Sequence, residues 1–288
     1  MSKPPFLTLP GAARAYRLET ARGDFAVHDA GAARLGTALL LPGFTGSKED
    51  FVALLEPVAD AGFRVVAVDG RGQYETGGPR ARGAYGLGEL ARDTLALARA
   101  IGDEGRPVHL VGHSLGGLIA RAAVLRDAAP FASLTLLSSG PAAVAASQRK
   151  RVEMLLGALP SLTMEEIWAA MRQLDPPEAA DEETPPEVAA FLRRRWLANV
   201  PEQLGAAGET LTGEPDRVAE LARVPLPFHV LSGEVDYAWP VPLLDQMAVR
   251  LGARRTIIEG AGHSPNAERP HETAHALTSF WRAPSRGA

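Results

Sequence analysis

Ser114 lies in a segment whose spacing is typical of a nucleophilic serine. The chain reads Gly-His-Ser-Leu-Gly from Gly112 to Gly116, which matches the pattern Gly-x-Ser-x-Gly. The mostly apolar residues 108–111 predict a buried strand before it, and a helix is predicted to follow. Glycines beside the serine remove side chains that would collide at a sharp turn. Because the first amides of that helix point toward the turn, we expect them to stabilise negative charge that forms next to Ser114.

A pattern with three fixed positions also occurs by chance, so it gains weight only if the chain supplies a base and an orienting acid. Asp236 follows the predicted strand 227–231, and His263 follows the predicted strand 255–258. Sites form at this end of parallel strands, and the order Ser, Asp, His matches the pattern for such a sheet. We therefore predict that His263 takes the proton of Ser114 and returns it to the leaving group. Asp236 is predicted to hold the imidazole and stabilise its cation.

Alternatives to this assignment stay open. Glu234 is the rival acid, and Asp236 could also be a turn residue or a helix cap before Pro240. We favour Asp236 because of its place in the chain order. Six other histidines fit the role of base less well: His28, His109, His113, His229, His271 and His275. His271 and His275 are one helical turn apart, which is typical of a solvated helix face, and we predict no metal site.

An oxyanion hole needs two backbone donors. The N–H group of Leu115, directly after the candidate nucleophile, is the first. Phe44, in the loop after the predicted strand 37–41, is the candidate for the second, because Gly43 lets the backbone approach closely. The alternative that Pro42-Gly43 only forms a turn is compatible with this role.

The elements that must position these residues alternate along the chain. Residues 16–20 and 24–28 predict a hairpin. Ser47, with Asp50 three residues on, predicts the start of a helix that ends at Gly62. The remaining predicted strands are 37–41, 63–68, 108–111, 134–138, 227–231 and 255–258, and the remaining predicted core helices are 87–101, 115–126, 241–251 and 270–281. This alternation predicts an α/β fold with a mostly parallel central sheet and helices on both faces.

The rhythm changes between residues 141 and 224, where no strand is predicted. Helical patterns cover 149–159, 163–174 and 186–200, and prolines flank an acidic loop at 178–183. Because this segment is too long for one crossover, we interpret it as a helical cap or lid inserted after the strand near 134–138. The predicted domains are a core of residues 1–140 and 225–288 and a lid of residues 141–224.

The composition excludes several classes of function. The net charge of −4 over 288 residues leaves no basic surface for nucleic acid. The absence of cysteine excludes disulfides, thiolate metal sites and a cysteine nucleophile. The N-terminal residues lack the apolar stretch of a signal peptide, and no run is long enough to span a membrane. We expect a soluble, cytoplasmic protein, and the oligomeric state is left open.

Five motifs together resemble the serine-dependent α/β-hydrolases, in their lid-bearing esterase- or lipase-like branch. They are Leu-Pro-Gly-Phe-Thr-Gly, Asp-Gly-Arg-Gly-Gln, Gly-His-Ser-Leu-Gly-Gly, Gly-Glu-Val-Asp and Gly-Ala-Gly-His, and they occur in the order of the family within residues 37–281. The resemblance implies the α/β-hydrolase fold, the catalytic and oxyanion assignments above, and a lid. We also predict that no cofactor is needed. Two positions depart from the family pattern. Pro42 replaces a frequent histidine, and Tyr74 replaces a glycine and is expected to form a bulkier wall near the site.

The reaction implied is attack of Ser114 on an ester, thioester or lactone, followed by hydrolysis of the acyl-enzyme. Related dehalogenases and epoxide hydrolases use a carboxylate nucleophile, which Ser114 is not. We keep two alternatives: a cofactor-free perhydrolase or C–C hydrolase, and a non-catalytic protein that binds a small ligand. The expected partner is a small molecule with an acyl group.

Candidate residues of the substrate pocket are mostly aromatic. Trp239 is expected at the pocket rim, and His113 is expected to support the serine turn. For the apolar residues of the predicted lid, packing of the lid onto the core is the favoured interpretation. The full set of pocket candidates is Tyr74, His113, Trp168, Trp196 and Trp239.

Overall fold

The computed structural model describes residues 1–102, 107–173 and 184–283 of the chain. The predicted acidic loop 178–183 therefore lies outside the described residues. No helix in the described ranges is long and apolar enough to cross a membrane.

An eight-stranded sheet forms the centre of the molecule, with strand order β1-β2-β4-β3-β5-β6-β7-β8. Strands β1, β2 and β4 pair antiparallel, and all the other pairs are parallel. The predicted, mostly parallel sheet is thus confirmed. The strands are β1 (Ala13–Thr20), β2 (Gly23–Ala30), β3 (Gly36–Leu41), β4 (Phe63–Val68), β5 (Val108–His113), β6 (Phe131–Leu137), β7 (Phe228–Gly233) and β8 (Arg254–Ile258).

Helices cover both faces of this sheet, as predicted. One apolar cluster includes Leu95, Leu118 and Leu244, and a second cluster on the other face includes Leu54 and Leu277. The helices are α1 (Val52–Asp60), α2 (Leu87–Ile101), α3 (Leu115–Arg126), α4 (Ala146–Ala158), α5 (Met164–Gln173), α6 (Pro186–Ala198), α7 (Pro201–Gly213), α8 (Val218–Leu221), α9 (Val241–Leu251), α10 (Pro265–Glu268) and α11 (Pro270–Trp281). Short 3-10 helices cover Lys48–Phe51 and Arg82–Tyr85. All the described residues between β6 and β7 lie in helices α4–α8 or in the loops that join them.

The structure differs from the predicted elements at the start of the helix near Ser47 and at helix α7. The helix predicted to begin at Ser47 starts as a 3-10 turn, and the backbone N–H of Ser47 donates to Asp50 Oδ2 at 3.3 Å. Helix α7 was not predicted, because glycines within it lower helix propensity. A Cβ atom at Gly208 would lie 2.8 Å from Leu156 Cδ2 of α4. The glycine therefore allows two helices to pack closely, and this tertiary contact outweighs local propensity.

The register of the central strands brings distant loops together. Leu41, the last residue of β3, pairs with Gly112 near the end of β5. The backbone N–H of Ser114 donates to the carbonyl of Leu137, at the end of β6, at 2.9 Å. The loops after β3, β5 and β6 therefore meet at one edge of the sheet.

Candidate active site

Ser114 occupies a strained turn between β5 and α3. Its backbone has φ +55° and ψ −118°, which is outside the usual regions for a residue with a side chain. A Cβ atom at Gly112 would collide with the carbonyl of Gly116, and one at Gly116 would collide with the carbonyl of Leu41. The spacing of the motif therefore follows from the close approach of three backbone segments around the serine.

The imidazole of His263 bridges the other two predicted residues. Its Nε2 lies 3.1 Å from Ser114 Oγ, and its Nδ1 lies 2.9 Å from Asp236 Oδ2. A carboxylate can only accept, so the hydrogen is on Nδ1 and Nε2 is free to accept the serine proton. The structure thus brings together the three side chains that chain order predicted.

The loop after β7 decides between the two candidate acids. Asp236 Oδ1 accepts from the backbone N–H groups of Ala238 at 2.8 Å and Trp239 at 3.0 Å, which holds the carboxylate in place. Glu234 instead accepts from the N–H of Gly260 at 3.1 Å. Asp236 therefore orients the imidazole and also caps its own loop, so the two interpretations of this residue are compatible.

Aromatic rings surround the imidazole of His263. The ring of Tyr237 lies 4.7 Å away, that of His113 5.2 Å, and that of Trp239 6.3 Å. His113 Nε2 donates to the backbone carbonyl of His263 at 2.9 Å. Complete burial lowers the pKa of His113 to about 3, so this ring is neutral and holds the loop of His263 without adding charge.

The loop after β3 lies close to the serine. A Cβ atom at Gly43 would be 3.1 Å from Ser114 Cβ and 3.3 Å from His113 Nδ1. The side chain of Phe44 packs against an apolar cluster of the helical segment, by which we mean the described residues between β6 and β7. The buried members of this cluster are Ile167, Trp196 and Leu204. Leu115 begins α3, where the first amides have no acceptor within the helix. Both predicted oxyanion residues thus adjoin the serine turn.

Two of the predicted pocket residues, Trp196 and Trp239, belong to the packed interior, and a third, Trp168, is partly buried. Trp196 is fully buried, and its indole N–H donates to the carbonyl of Met164 at 2.7 Å, while Trp168 packs 6.3 Å from it. Trp239 is also fully buried and donates to the carbonyl of Ala142 at 2.9 Å. The prediction placed Trp239 at the pocket rim, but the structure buries its indole between the loop that carries Asp236 and the residues directly after β6.

Tyr74 contacts the helical segment on one side and a buried cation on the other. Its ring lies 5.5 Å from that of Phe191, and Lys48 Nζ lies 4.9 Å from its centroid. The sequence interpretation missed Lys48. The available signal was a lysine that closely follows a buried strand and directly precedes two acidic residues.

Lys48 is buried among three carboxylates. Its Nζ lies 2.6 Å from Glu75, 2.8 Å from Glu49 and 3.1 Å from Asp69. Burial acts to lower the pKa of Lys48, but the charges of Asp69 and Glu49 outweigh it and raise that pKa above its usual range. The ammonium group is therefore permanently charged. In the described ranges no group of three or more His, Asp or Glu side chains is arranged to hold a metal ion.

Known proteins of similar sequence and structure share the fold described above. The model of the Alpha/beta hydrolase family matches residues 38–276, and the chain belongs to this family. A crystal structure of a hydrolase from Pseudomonas aeruginosa has a TM-score of 0.77 and 25% identity, and covers 94% of this chain and 99% of that one.

Two relatives are similar to this chain in sequence. A pimeloyl-[acyl-carrier protein] methyl ester esterase of Aeromonas hydrophila is 29% identical over 204 residues, which cover 68% of this chain and 76% of the relative. A protein of Variovorax paradoxus, named as a candidate carbamate hydrolase, is 37% identical over 106 residues. That match covers 36% of this chain and 38% of the relative, so the two share well under half of their length.

Proposed function

We propose that this protein is a serine hydrolase that cleaves a carboxylic ester, thioester or lactone through an acyl-serine intermediate. The observation that carries the proposal is the bridge formed by His263, whose two ring nitrogens lie 3.1 Å from Ser114 Oγ and 2.9 Å from Asp236 Oδ2. This is the arrangement that a serine nucleophile, a general base and an orienting acid require.

The geometry supports a reaction in two halves. Ser114 Oγ attacks the acyl carbon while its proton passes to His263 Nε2, and the carbonyl oxygen becomes an oxyanion facing the N–H groups of Phe44 and Leu115. The intermediate collapses, and His263 returns the proton to the departing alkoxide or thiolate. Water then repeats the attack on the acyl-serine, and Ser114 recovers its proton. Asp236 keeps the imidazole in the required tautomer and stabilises its cation.

We further propose that residues 141–224 form a cap on a core of residues 1–140 and 225–288. Arg195 of α6 supports this arrangement, because its fully buried guanidinium lies 2.6 Å from the buried carboxylate of Asp50, close to the loop after β3. Phe44 supports it from the apolar side, since it packs on Trp196 and Leu204. An acyl group bound next to Ser114 would lie under these contacts.

The ester class is supported by the Aeromonas relative, whose name describes action on a methyl ester. The Variovorax relative is named for carbamates, whose carbonyl carbon is open to the same attack. Both names describe attack on a carbonyl carbon. We therefore propose that the substrate of this chain is a small molecule with an acyl group.

The test is the initial rate on p-nitrophenyl esters from acetate to decanoate. We expect wild-type turnover, and a fall of about ten-thousandfold or more in Ser114→Ala and in His263→Ala, with the fold retained by circular dichroism. His271→Ala, which removes an exposed histidine of α11, is the matched control and should keep the wild-type rate. Wild-type protein that neither turns over these esters nor reacts at Ser114 with a fluorophosphonate probe would contradict the proposal and favour a binding protein.

A further inference from the structure

Gln73 lies behind the loop after β3, and both ends of its side-chain amide form hydrogen bonds. Its Nε2 donates to the carbonyl oxygen of Gly43 at 2.9 Å, and its Oε1 accepts from the backbone N–H of Gly70 at 3.0 Å. The side chain is buried, with 5% of its surface exposed. Only one orientation of the amide satisfies a carbonyl on one side and an N–H on the other, so the group cannot rotate without losing both bonds.

The bond from Gln73 orients the neighbouring amide of Phe44. The carbonyl of Gly43 and the N–H of Phe44 belong to one planar peptide group, in which they point in opposite directions. The same carbonyl also accepts from the N–H of Gly46 at 3.1 Å. Two donors on the oxygen therefore hold the plane of the peptide, and they also polarise it, which makes the N–H of Phe44 a stronger donor.

This peptide borders the nucleophile. A Cβ atom at Gly43 would lie only 3.1 Å from Ser114 Cβ, so a rotation of the peptide would change the backbone that lies nearest to the serine. Of the two bonds that hold the Gly43 carbonyl, the one from Gln73 comes from outside the loop. The orientation of the Gly43–Phe44 peptide therefore depends on the side chain of Gln73, thirty residues further along the chain.

We propose that Gln73 is a positioning residue for the oxyanion hole, which acts through the Gly43–Phe44 peptide and does not touch the substrate. The inference rests on the proposed function and deepens it. An oxyanion in a tetrahedral intermediate depends on the aim of its donors more than a planar ester does. Loss of Gln73 should therefore weaken binding of the transition state while leaving binding of the substrate nearly unchanged.

Gln203 provides a matched control. It lies on α7, is buried with 2% of its surface exposed, and lines the same small internal cavity of about 30 Å³ as Gln73. Within the described part of the chain, its Oε1 has no hydrogen-bond partner. Gln203→Met and Gln73→Met therefore make the same chemical change beside the same cavity, but only the second removes a bond to the loop after β3.

The first measurement compares kcat, KM and inhibition by a trifluoromethyl ketone, which adds to the serine as a tetrahedral adduct. In Gln73→Met we expect kcat on p-nitrophenyl butyrate to fall about 10- to 100-fold, below the loss for complete removal of a donor. KM should change less than about threefold, and the inhibition constant of the ketone should rise by the same factor as kcat falls. Gln203→Met should change each quantity less than about threefold.

The second measurement is a pH profile of Gln73→Glu, because a protonated carboxyl can donate to the Gly43 carbonyl and a carboxylate cannot. The ratio of its kcat to that of the wild type should rise as the pH falls, and taking the ratio cancels the pH dependence that the two enzymes share. If Gln73→Met does not fold, this ratio decides the inference, since a purely structural role would leave it flat. Wild-type values of kcat and ketone inhibition in a folded Gln73→Met would overturn the inference and leave the proposed function standing. A wild-type enzyme without turnover that depends on Ser114 would overturn both.

Discussion

Two sets of mostly buried polar side chains lie at the same edge of the sheet, and they are built in opposite ways. The set proposed for catalysis, called the catalytic set, is a chain of hydrogen bonds from Asp236 through His263 to the hydroxyl group of Ser114. The ionic set surrounds the ammonium group of Lys48, where each charge has an opposite charge within about 3 Å, Asp69 among them.

The difference shows how one sheet edge can support both chemistry and stability. Both sets follow parallel strands, so the topology delivers polar side chains to the same place. In the catalytic set, loss of one member should stop the reaction and leave the fold intact. In the ionic set, loss of Lys48 removes the cation that three carboxylates share and should weaken the fold.

The largest expected effect is in the catalytic set, at Asp236. Asp236→Asn should lower kcat on p-nitrophenyl esters about ten-thousandfold, because an amide facing Nδ1 favours the wrong tautomer of His263. Glu234→Gln is the control, and it should stay within about threefold of wild type because Glu234 faces the N–H of Gly260. If kcat fell equally in both variants, the different contacts of the two acids would not explain which of them acts on His263.

The next effect is in the ionic set, at Lys48. Lys48→Met should reduce the free energy of unfolding by about 3–5 kcal/mol. Burial already raises the pKa of Asp69 to about 7, so without the ammonium group this buried carboxyl must keep an unpaired charge or take up a proton. Urea denaturation measures this, and kcat per folded molecule should remain within about tenfold of wild type. Lys150→Met removes an exposed lysine of α4 and should change stability by less than about 0.5 kcal/mol. A stable Lys48→Met with no activity would reverse the roles assigned to the two sets.

The smallest expected effect is the contribution of His113 to the pH dependence of the free energy of unfolding. Since the pKa of His113 falls from 6.5 to about 3 in the fold, the unfolded chain binds a proton there between these values and the folded protein does not. Stability should therefore fall as the pH drops through this window. In His113→Gln, the slope of unfolding free energy between about pH 6 and pH 4 should be smaller by about 1.4 kcal/mol per pH unit. An unchanged slope, measured by urea denaturation at each pH, would show that His113 is protonated in the fold.

Local signals predicted much of the framework. Residues 63–68, 87–101, 241–251 and 270–281 form the predicted elements with the predicted bounds, because each segment combines a clear apolar period with a breaker at its end. Helix α7 was missed, since its glycines carry an unfavourable local signal and their reason is contact with α4. The interior position of Trp239 was missed for a similar reason, because its partner carbonyl at Ala142 is far away in the sequence.

The sequence by itself determined the kinds of chemistry available and the order in which they occur. The amino-acid sequence alone shows a serine flanked by glycines, and an acid and a histidine after later strands. It also shows that cysteine is absent. Chain order only favoured Asp236 over Glu234, and the tertiary structure showed that Asp236 faces His263. The tertiary structure alone showed that Gln73 contacts the Gly43 peptide. These contacts depend on strand register and loop path, and pairs so far apart in the chain leave no periodic signal in the sequence around either partner.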